Sequence, residues 1–222
     1  MKISLNTVLN TKFDIYRVLE ELSKTNPLFN SELEFQFYLA WKIKELYKNI
    51  YTICLEYSLK NYQGKNRNID LVLVCNNGSL IPIELKYKTS KFEYFCNNIN
   101  YKLKDQSAND LSKYGHLKDV SRIEYFKETE KNFLVGYVIT ITNQAKTWQK
   151  ILSPKQTDFE FSLENGSTVY KGVKCWHTCK SNHNKNNYLP ITLKNDYFIN
   201  WHDFIIFDKP NGVFKVLVTE VK

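Results

Sequence analysis

Long apolar runs are missing from this sequence of 222 residues. The longest apolar stretch, residues 133–141, falls well short of the roughly 18 residues that a membrane-spanning helix needs. The N-terminal residues contain no apolar core of signal-peptide length and turn polar within a few positions. These absences predict a cytoplasmic protein outside the membrane. The length predicts a single domain over residues 1–222.

Glycine and cysteine are also scarce, with seven and five residues respectively. So few glycines leave little room for a phosphate-cradling loop, and neither the P-loop nor the dinucleotide pattern occurs. The cysteines are odd in number and scattered, which argues against a disulfide framework. Four potential zinc ligands have spacings unlike those of common zinc modules, which favours a loop with incidental Cys and His; they are Cys175, His177, Cys179 and His183.

Acidic residues are outnumbered by basic ones, at 23 Asp and Glu against 31 Lys and Arg, for a net charge of +8. Only three of the basic residues are arginines. A surplus of lysine suits a polyanionic partner, because it neutralises phosphates and releases their counterions. Many basic proteins nevertheless bind nothing in particular. Composition therefore favours nucleic acid as the partner without requiring it.

Hydrophobic periodicity predicts a mixed α/β fold, in which helices flank a central β-sheet. Ser31 and Glu34 fit a capping box at the start of the second helix. Pro82 favours an edge position or a bulge in its strand, and Gly115 indicates a hinge between two helices. The predicted helices are residues 12–24, 31–48, 105–113 and 117–127, and the predicted strands are residues 51–59, 69–75, 80–87, 133–142, 204–207 and 214–221.

The hairpin predicted from the second and third strands carries three charged side chains among apolar ones. Glu84 and Lys86 are two residues apart and therefore project from the same face. A three-residue loop would place Asp70 opposite Glu84. A two-residue loop would set Asp70 opposite Leu85, on the other face, unless a bulge corrected the register.

Two carboxylates on one face form the hard-oxygen site that Mg²⁺ or Mn²⁺ prefers. Such a metal binds a phosphate oxygen and acidifies a water, while a nearby lysine stabilises negative charge on the hydroxide or the phosphate. Cross-strand salt bridges in an ordinary hairpin are the alternative. Because burial of charges without a role is costly, the pattern predicts a metal site at Asp70 and Glu84.

The pair Ile69-Asp70 followed by Ile83-Glu84-Leu85-Lys86-Tyr87-Lys88 resembles the core of the PD-(D/E)XK phosphodiesterases, the restriction-endonuclease-like superfamily. Ile69 stands where the family motif has proline. The resemblance covers about residues 31–142 and implies an αβββαβ core. The C-terminal extension, about residues 143–222, matches no pattern.

The resemblance also implies an activity, the Mg²⁺- or Mn²⁺-dependent hydrolysis of DNA phosphodiesters. Asp70 and Glu84 would be the metal ligands, with the Leu85 carbonyl as a further ligand, and Lys86 would be the catalytic lysine. Many enzymes of this family are homodimers, because two strands need two cuts.

The family often places a glutamate on the helix before the sheet, and Glu32 and Glu34 are the candidates here. Glu32 lies on or beside the apolar stripe of its helix, with Gln36 one turn on, whereas the capping box explains Glu34. Glu32 is therefore predicted as the fourth catalytic residue and Gln36 as a supporting residue. Complementation of the helix dipole is the alternative for Glu32. Glu56 on the first strand is predicted to flank the site.

Polar side chains further along the chain are candidates for the substrate contacts. Related nucleases often have a glutamine or a basic residue near the metal or the DNA backbone, on the helix after the lysine strand. Gln106, Asp110 and Lys113 share one face there, which makes Gln106 a possible supporting residue, although an exposed polar face is an equal alternative. Residues 165–195 contain lysines, interleaved aromatics and no acidic residue, which suits contact with a DNA backbone, although a solvated loop is an equal alternative there too. The predicted DNA-binding residues are Lys88, Lys174, Lys180 and Lys185.

These observations predict a metal-dependent DNA endonuclease. A module of the same fold that binds DNA without cutting it is the second possibility. An unrelated structural protein with a salt-bridged hairpin is the third.

Overall fold

The computed structural model describes residues 13–47, 51–96, 98–153, 156–177 and 188–222. The helices are α1 (Ile15–Thr25), α2 (Glu32–Leu46) and α3 (Asn109–Thr129), and the strands are β1 (Tyr51–Tyr62), β2 (Lys65–Cys75), β3 (Leu80–Lys88), β4 (Phe92–Cys96), β5 (Ile99–Leu103), β6 (Gly136–Thr142), β7 (Thr168–Val169), β8 (Gly172–Lys174), β9 (Ile191–Leu193), β10 (Tyr197–Phe198), β11 (Trp201–Ile206) and β12 (Val213–Val221). None of the helices within these ranges is both long and apolar enough to cross a membrane.

Six of the strands form one mixed sheet in the order β1-β2-β3-β6-β12-β11. Neighbouring strands are antiparallel except β3 and β6, which are parallel. Parallel strands need a long crossover connection, which the β4–β5 hairpin and α3 provide. The fold is thus mixed α/β, as predicted, although the β4–β5 hairpin was not.

The sheet separates two apolar cores, because successive side chains of a strand point to opposite faces. One core lies against α1 and α2 and includes Phe35, Ile83 and Leu85. The other lies against α3 and includes Phe126 and Val138. Every residue of β6 is buried, which confirms the central position that its apolar sequence predicts.

Helix α2 begins at the predicted capping box. Ser31 Oγ accepts a hydrogen bond from the Glu34 amide at 3.1 Å, and Glu34 Oε2 accepts from the Asn30 amide. The Glu34 carboxylate therefore serves the helix terminus. Glu32 has no part in this cap and is free to reach the sheet.

The β2–β3 hairpin has the register that brings the two predicted metal ligands together. Leu71 pairs with Ile83, and the Cys75 amide donates to the Ser79 carbonyl at 2.8 Å, which closes a three-residue loop. One step beyond the Leu71–Ile83 pair, Asp70 adjoins Glu84.

Pro82 lies in an interior strand with a regular β2–β3 register, so the predicted edge or bulge is wrong. Proline is tolerated here because it interrupts no ladder bond. It falls between the isolated Leu80–Phe133 bridge and the Ile83–Tyr137 pair, where the β3–β6 ladder begins.

The two helices predicted around Gly115 are one continuous helix, α3, and the predicted hinge is wrong. A glycine inside a helix costs only about 1 kcal/mol relative to alanine, which the burial of one side of α3 offsets. Gly115 also lies close to β3, since a Cβ at this position would be 3.6 Å from Lys86 Cε.

The C-terminal part of the chain contributes to the central sheet. β12 pairs with β6 and β11 pairs with β12, which confirms the predicted C-terminal hairpin. Between β6 and β11, the described residues form only short strands and single 3₁₀ turns, in line with their irregular, polar sequence.

Candidate functional site

Two carboxylates lie against the main chain of β3 at the open end of the β2–β3 hairpin, beyond its last strand pair. The Leu85 amide donates to Asp70 Oδ2 at 2.7 Å, and the Tyr87 amide donates to Glu32 Oε2 at 2.9 Å. Both amides lie beyond the last β2–β3 pair and need another acceptor. Asp70 and Glu32 provide one each, and this fixes two of the predicted acidic residues beside β3.

Glu84 and Lys86 point to the other side of β3 and meet two residues of α3. Arg122 Nη1 lies 2.5 Å from Glu84 Oε1. Arg122 Nη2 lies 2.9 Å from Asp119 Oδ1, and Lys86 Nζ lies 2.7 Å from Asp119 Oδ2. The four side chains therefore form a line of alternating charge between β3 and α3.

Asp119 and Arg122 belong to this site although neither is among the residues predicted from the sequence. The two residues are three apart on α3 and face one way, which is also the spacing of an ordinary surface ion pair. The one available signal was the scarcity of arginine, because Arg122 is one of three in the chain. Their position becomes evident only when α3 packs on β3.

The carboxylates of the hairpin and those facing α3 form one electrostatic unit. The Asp70 carboxylate contributes to the raised pKa of Glu84, and the Glu32 carboxylate contributes to the raised pKa of Lys86. When every group is ionised, four carboxylates face two cations, which leaves two negative charges unbalanced. We call these residues the β3 charge cluster; its members are Glu32, Asp70, Glu84, Lys86, Asp119 and Arg122.

Burial raises the pKa values of both central carboxyl groups. For Asp70, the hydrogen bond from the Leu85 amide only partly opposes the increase in pKa. For Glu84, which is fully buried, burial and repulsion by Asp119 hold the pKa well above its ordinary value despite the nearby Arg122 guanidinium. The site is therefore short of positive charge.

For the Lys86 ammonium group, the neighbouring charges outweigh the effect of burial on the pKa. Burial alone would lower the pKa of Lys86, but the carboxylates of Asp119 and Glu32 outweigh it and raise the pKa. Lys86 therefore stays protonated at neutral pH, where it can stabilise negative charge but cannot accept a proton. Its Nζ also donates to the Leu85 carbonyl at 3.0 Å, so that carbonyl is shared with the lysine.

A divalent cation fits the donor atoms at the centre of the cluster. Glu84 Oε2 is buried and has no hydrogen-bond partner among the described residues, and the Asp70 carboxyl group adjoins Glu84. No group of three or more His, Cys, Asp or Glu side chains in the described ranges is placed to hold a metal. Mg²⁺, however, commonly takes one or two carboxylates and completes its coordination with water or phosphate oxygens.

Gln36 and Glu56 support the segment that carries Asp70. Gln36 Nε2 donates to the Asp70 carbonyl at 2.7 Å and to Glu56 Oε1 at 3.1 Å. The β1–β2 register passes from Leu55–Leu71 to Tyr57–Ile69 without a pair at Glu56 and Asp70, and Glu56 has a φ of 49°. Such a left-handed conformation is uncommon outside glycine and is costly unless the surroundings enforce it.

Gln106 lies outside the β3 charge cluster, and the predicted helical face that included it is wrong. The residue precedes α3, and its Oε1 accepts from the Thr89 amide at 3.2 Å. Lys113 is turned towards Asp158 at 3.1 Å, and Asp110 Oδ1 accepts from the neighbouring Leu111 amide. These three side chains make contacts within the fold that do not involve the carboxylates of the β3 charge cluster.

The predicted DNA-binding lysines are separated in the structure. Lys88 ends β3 on the strand that carries Lys86, whereas Lys174 lies in the short β8 strand. Lys180 and Lys185 lie outside the described residues, as do Cys179 and His183 of the potential zinc ligands.

The aromatic side chains expected to stack on bases are partly used in packing. Trp176 and Tyr188 both contact the Tyr114 ring, with centroid distances of 5.4 and 5.5 Å. Tyr170 is exposed. The segment around β8 is therefore anchored to α3 by two of its three aromatic residues.

Comparisons with protein-family models, with curated proteins and with solved structures found no match to this chain. The chemistry of the β3 charge cluster therefore rests on its own residues.

Proposed function

We propose that this protein is a metal-dependent DNA endonuclease of the PD-(D/E)XK type. The observation that carries the proposal is the pair of half-buried Asp70 and fully buried Glu84 beside a protonated Lys86, with Glu84 Oε2 unpartnered among the described residues. The order α2-β1-β2-β3-α3-β6, interrupted only by the β4–β5 hairpin, supports a restriction-endonuclease-like core.

The residues of the cluster have distinct roles in this proposal. Asp70 and Glu84 hold Mg²⁺ or Mn²⁺, which when bound acidifies a water and neutralises a phosphate oxygen. Lys86 stabilises the negative charge that grows on the phosphate as water attacks in line. Asp119 orients the Lys86 ammonium group, and the field of Glu32 helps to keep it protonated.

A cleavage assay with supercoiled, linear and branched DNA, in millimolar Mg²⁺ or in EDTA, tests the proposal. The wild type should cut at least one substrate in Mg²⁺ and none in EDTA. Asp70→Asn and Glu84→Gln should each lower the rate by about 100-fold or more. Asp110→Asn is the matched control, because it makes the same chemical change outside the cluster and should leave the rate unaltered.

A module that binds DNA without cutting it is the second candidate, and one contact favours it. The Arg122 guanidinium already neutralises Glu84 at 2.5 Å and competes with a metal for that carboxylate. Tight binding without cleavage in either Mg²⁺ or Mn²⁺, on every DNA form, would select this module over the endonuclease.

Two further proposals accompany the endonuclease. A homodimer would bring two sites to the two strands of a duplex, and the molar mass of the protein in solution, measured with and without DNA, tests it. A cytoplasmic location fits an enzyme that acts on DNA, and fractionation of the producing cells tests it.

A further inference from the structure

Three basic side chains that form no ion pair among the described residues lie beside the β3 charge cluster. Lys65 and Arg67 are exposed on β2, and Lys118 is half-buried on α3. Burial lowers the pKa of the Lys118 ammonium group, and the charges of Arg122, Arg67 and Lys65 lower it further against the opposing effect of Asp119. None of the three forms an ion pair among the described residues. We call Lys65, Arg67 and Lys118 the hairpin cations.

The strand register explains why the hairpin cations share one surface. Lys65 and Arg67 are two residues apart and therefore project from the same face of β2. Their cross-strand partners, Tyr62 and Leu59, belong to the core beneath α3. This face therefore points towards α3, where Lys118 lies.

Three contacts fasten the end of the β1–β2 hairpin to α3. The hydroxyl groups of Tyr62 and Ser121 are 2.8 Å apart, and the Tyr125 hydroxyl donates to the Asn61 carbonyl at 3.2 Å. Arg122 Nη1 donates to the Asn68 carbonyl at 3.3 Å while it contacts Glu84. The hairpin cations therefore sit on a scaffold that is connected directly to the β3 charge cluster.

The hairpin cations lead towards Asp70 along β2. Arg67 is three residues before Asp70 and Lys65 is five before it, or about 10 and 17 Å along an extended strand. One nucleic-acid strand carries a phosphate about every 3.4 Å of helix axis. The stretch from Lys65 to Asp70 is therefore long enough to lie against more than one phosphate of a bound strand.

We propose that the hairpin cations bind the phosphate backbone of the nucleic-acid strand next to the phosphodiester to be cut. The nucleic-acid strand then runs along β2 from Lys65 towards Asp70, and its backbone reaches the carboxylates of the β3 charge cluster beyond Arg67. The position of the cut rests on the proposed endonuclease, whereas the binding surface does not. Arginine suits this role because its planar guanidinium matches two phosphate oxygens.

Binding measured in EDTA separates this inference from catalysis. The affinity for a short duplex is measured by fluorescence anisotropy between about 50 and 200 mM salt, a range in which phosphate contacts weaken strongly. The triple variant Lys65→Gln, Arg67→Gln, Lys118→Gln should flatten the slope of log K against log salt by about two to three, because each lost phosphate contact removes about one. Lys131→Gln, Lys146→Gln, Lys150→Gln removes the same charge from exposed lysines outside both candidate surfaces and should leave the slope nearly unchanged.

The lysines predicted from sequence provide a rival triple variant, Lys174→Gln, Lys180→Gln, Lys185→Gln. A slope that flattens in this variant but not in the variant of the hairpin cations would overturn the inference. Unaltered circular dichroism spectra for all three triple variants exclude misfolding as the cause of any loss.

Other polyanions identify the ligand class, and cleavage data keep the two proposals apart. Polyglutamate, anionic vesicles and unlabelled DNA are each tested as competitors of the labelled duplex. If polyglutamate or the vesicles displace the duplex as effectively as unlabelled DNA does, the surface is not specific to nucleic acid, and the assignment of the hairpin cations to a nucleic-acid strand is refuted. Binding that needs the hairpin cations in a protein that never cuts would support this inference and reject the endonuclease. Cleavage by the wild type, together with a salt slope that the triple variant of the hairpin cations leaves unchanged, would support the endonuclease and reject this inference.

Discussion

At the scale of single residues, Lys86 is a lysine with a fixed position and a fixed charge. Its ammonium group contacts Asp119 Oδ2 at 2.7 Å and the Leu85 carbonyl at 3.0 Å, and neighbouring carboxylates raise its pKa. A group held in this way is already oriented towards negative charge that develops during a reaction. Its effect is therefore expected on the rate more than on binding.

Lys86→Ala should lower the cleavage rate by about 100-fold or more and leave Mg²⁺-dependent DNA binding largely intact. Both proposed metal ligands, Asp70 and Glu84, would be intact in this variant, whereas Asp70→Ala should lose both cleavage and the effect of the metal. Single-turnover cleavage and anisotropy measure the two quantities separately. Lys146→Ala, at an exposed position, is the control. A Lys86→Ala protein that cuts at the wild-type rate would refute the catalytic assignment of this hairpin.

The raised carboxyl pKa values predict how pH and Mg²⁺ act together on stability. Asp70 and Glu84 bind protons more tightly in the folded chain than in the unfolded one. Without metal, their contribution to stability is complete below the ordinary pKa values of 3.8 and 4.5 and is lost as the pH rises through the raised values. At the proposed site Mg²⁺ would bind the ionised carboxylates, so it should stabilise the fold most at a pH where the protons have left.

The Mg²⁺-induced rise in Tm should therefore be small at about pH 5 and larger at about pH 8. Thermal melts with and without millimolar Mg²⁺, at matched ionic strength, measure both increments. Asp70→Asn should lose most of the increment at the higher pH, and Asp110→Asn should keep it. An equal increment at the two pH values, or a full increment in Asp70→Asn, would rule out binding at these carboxylates.

At the scale of elements, the sequence predicts what local chemistry determines. The hairpin loop that aligns Asp70 with Glu84 and the capping box at Ser31 both have local signals, and both are present. The start of α3 has none, because its N-cap is Ala108 in a left-handed conformation with no capping side chain. Gln106 was consequently assigned to a helix that begins three residues later, at Asn109.

Long-range packing determines the features that the sequence did not reveal. Asp119 and Arg122 give no local sign of their partners, and only the docking of α3 on β3 turns them towards Glu84 and Lys86. Lys113 likewise has the pattern of an exposed residue but is buried against Asp158. In each case the partner lies 33 or more residues away, beyond the reach of any helical or strand period.

The Lys113–Asp158 pair joins α3 to the chain beyond β6, and it should behave as a buried ion pair. Both side chains are at most 5% exposed, at a distance of 3.1 Å. Lys113→Met or Asp158→Leu alone should lower the free energy of unfolding by about 3–5 kcal/mol, because each leaves the other charge buried without a partner. The double variant should recover most of that loss.

Urea unfolding of the two single variants and the double variant measures this coupling. Lys24→Met is the control, since it breaks an exposed pair with Glu20 and should cost less than about 1 kcal/mol. If the losses of the single variants simply add in the double variant, the two side chains are not an energetic pair.

At the scale of the whole molecule, the C-terminal part and the hairpin that carries the site belong to the same sheet. β12 pairs with β6 over seven residues, and β6 pairs with β3, the strand of Glu84 and Lys86. Glu124 of α3 further accepts hydrogen bonds from the Lys194 amide at 3.0 Å and the Tyr197 hydroxyl at 2.8 Å. Loss of the β12–β6 pairing or of the β6–β3 pairing would leave apolar strand faces exposed to water.

We therefore expect the chain to unfold in one cooperative transition, without separate melting of residues 143–222. The tryptophans offer a direct measurement, since Trp41 lies on α2 whereas Trp148, Trp176 and Trp201 lie beyond β6. Trp41 is 64% exposed, so Trp41→Phe should be nearly neutral and leaves a fluorescence signal from the C-terminal part alone. Its urea midpoint should coincide with that of the far-ultraviolet circular dichroism of the same protein, to which α1, α2 and α3 contribute. Two separated midpoints would show that the C-terminal part folds independently of the sheet that carries the β3 charge cluster.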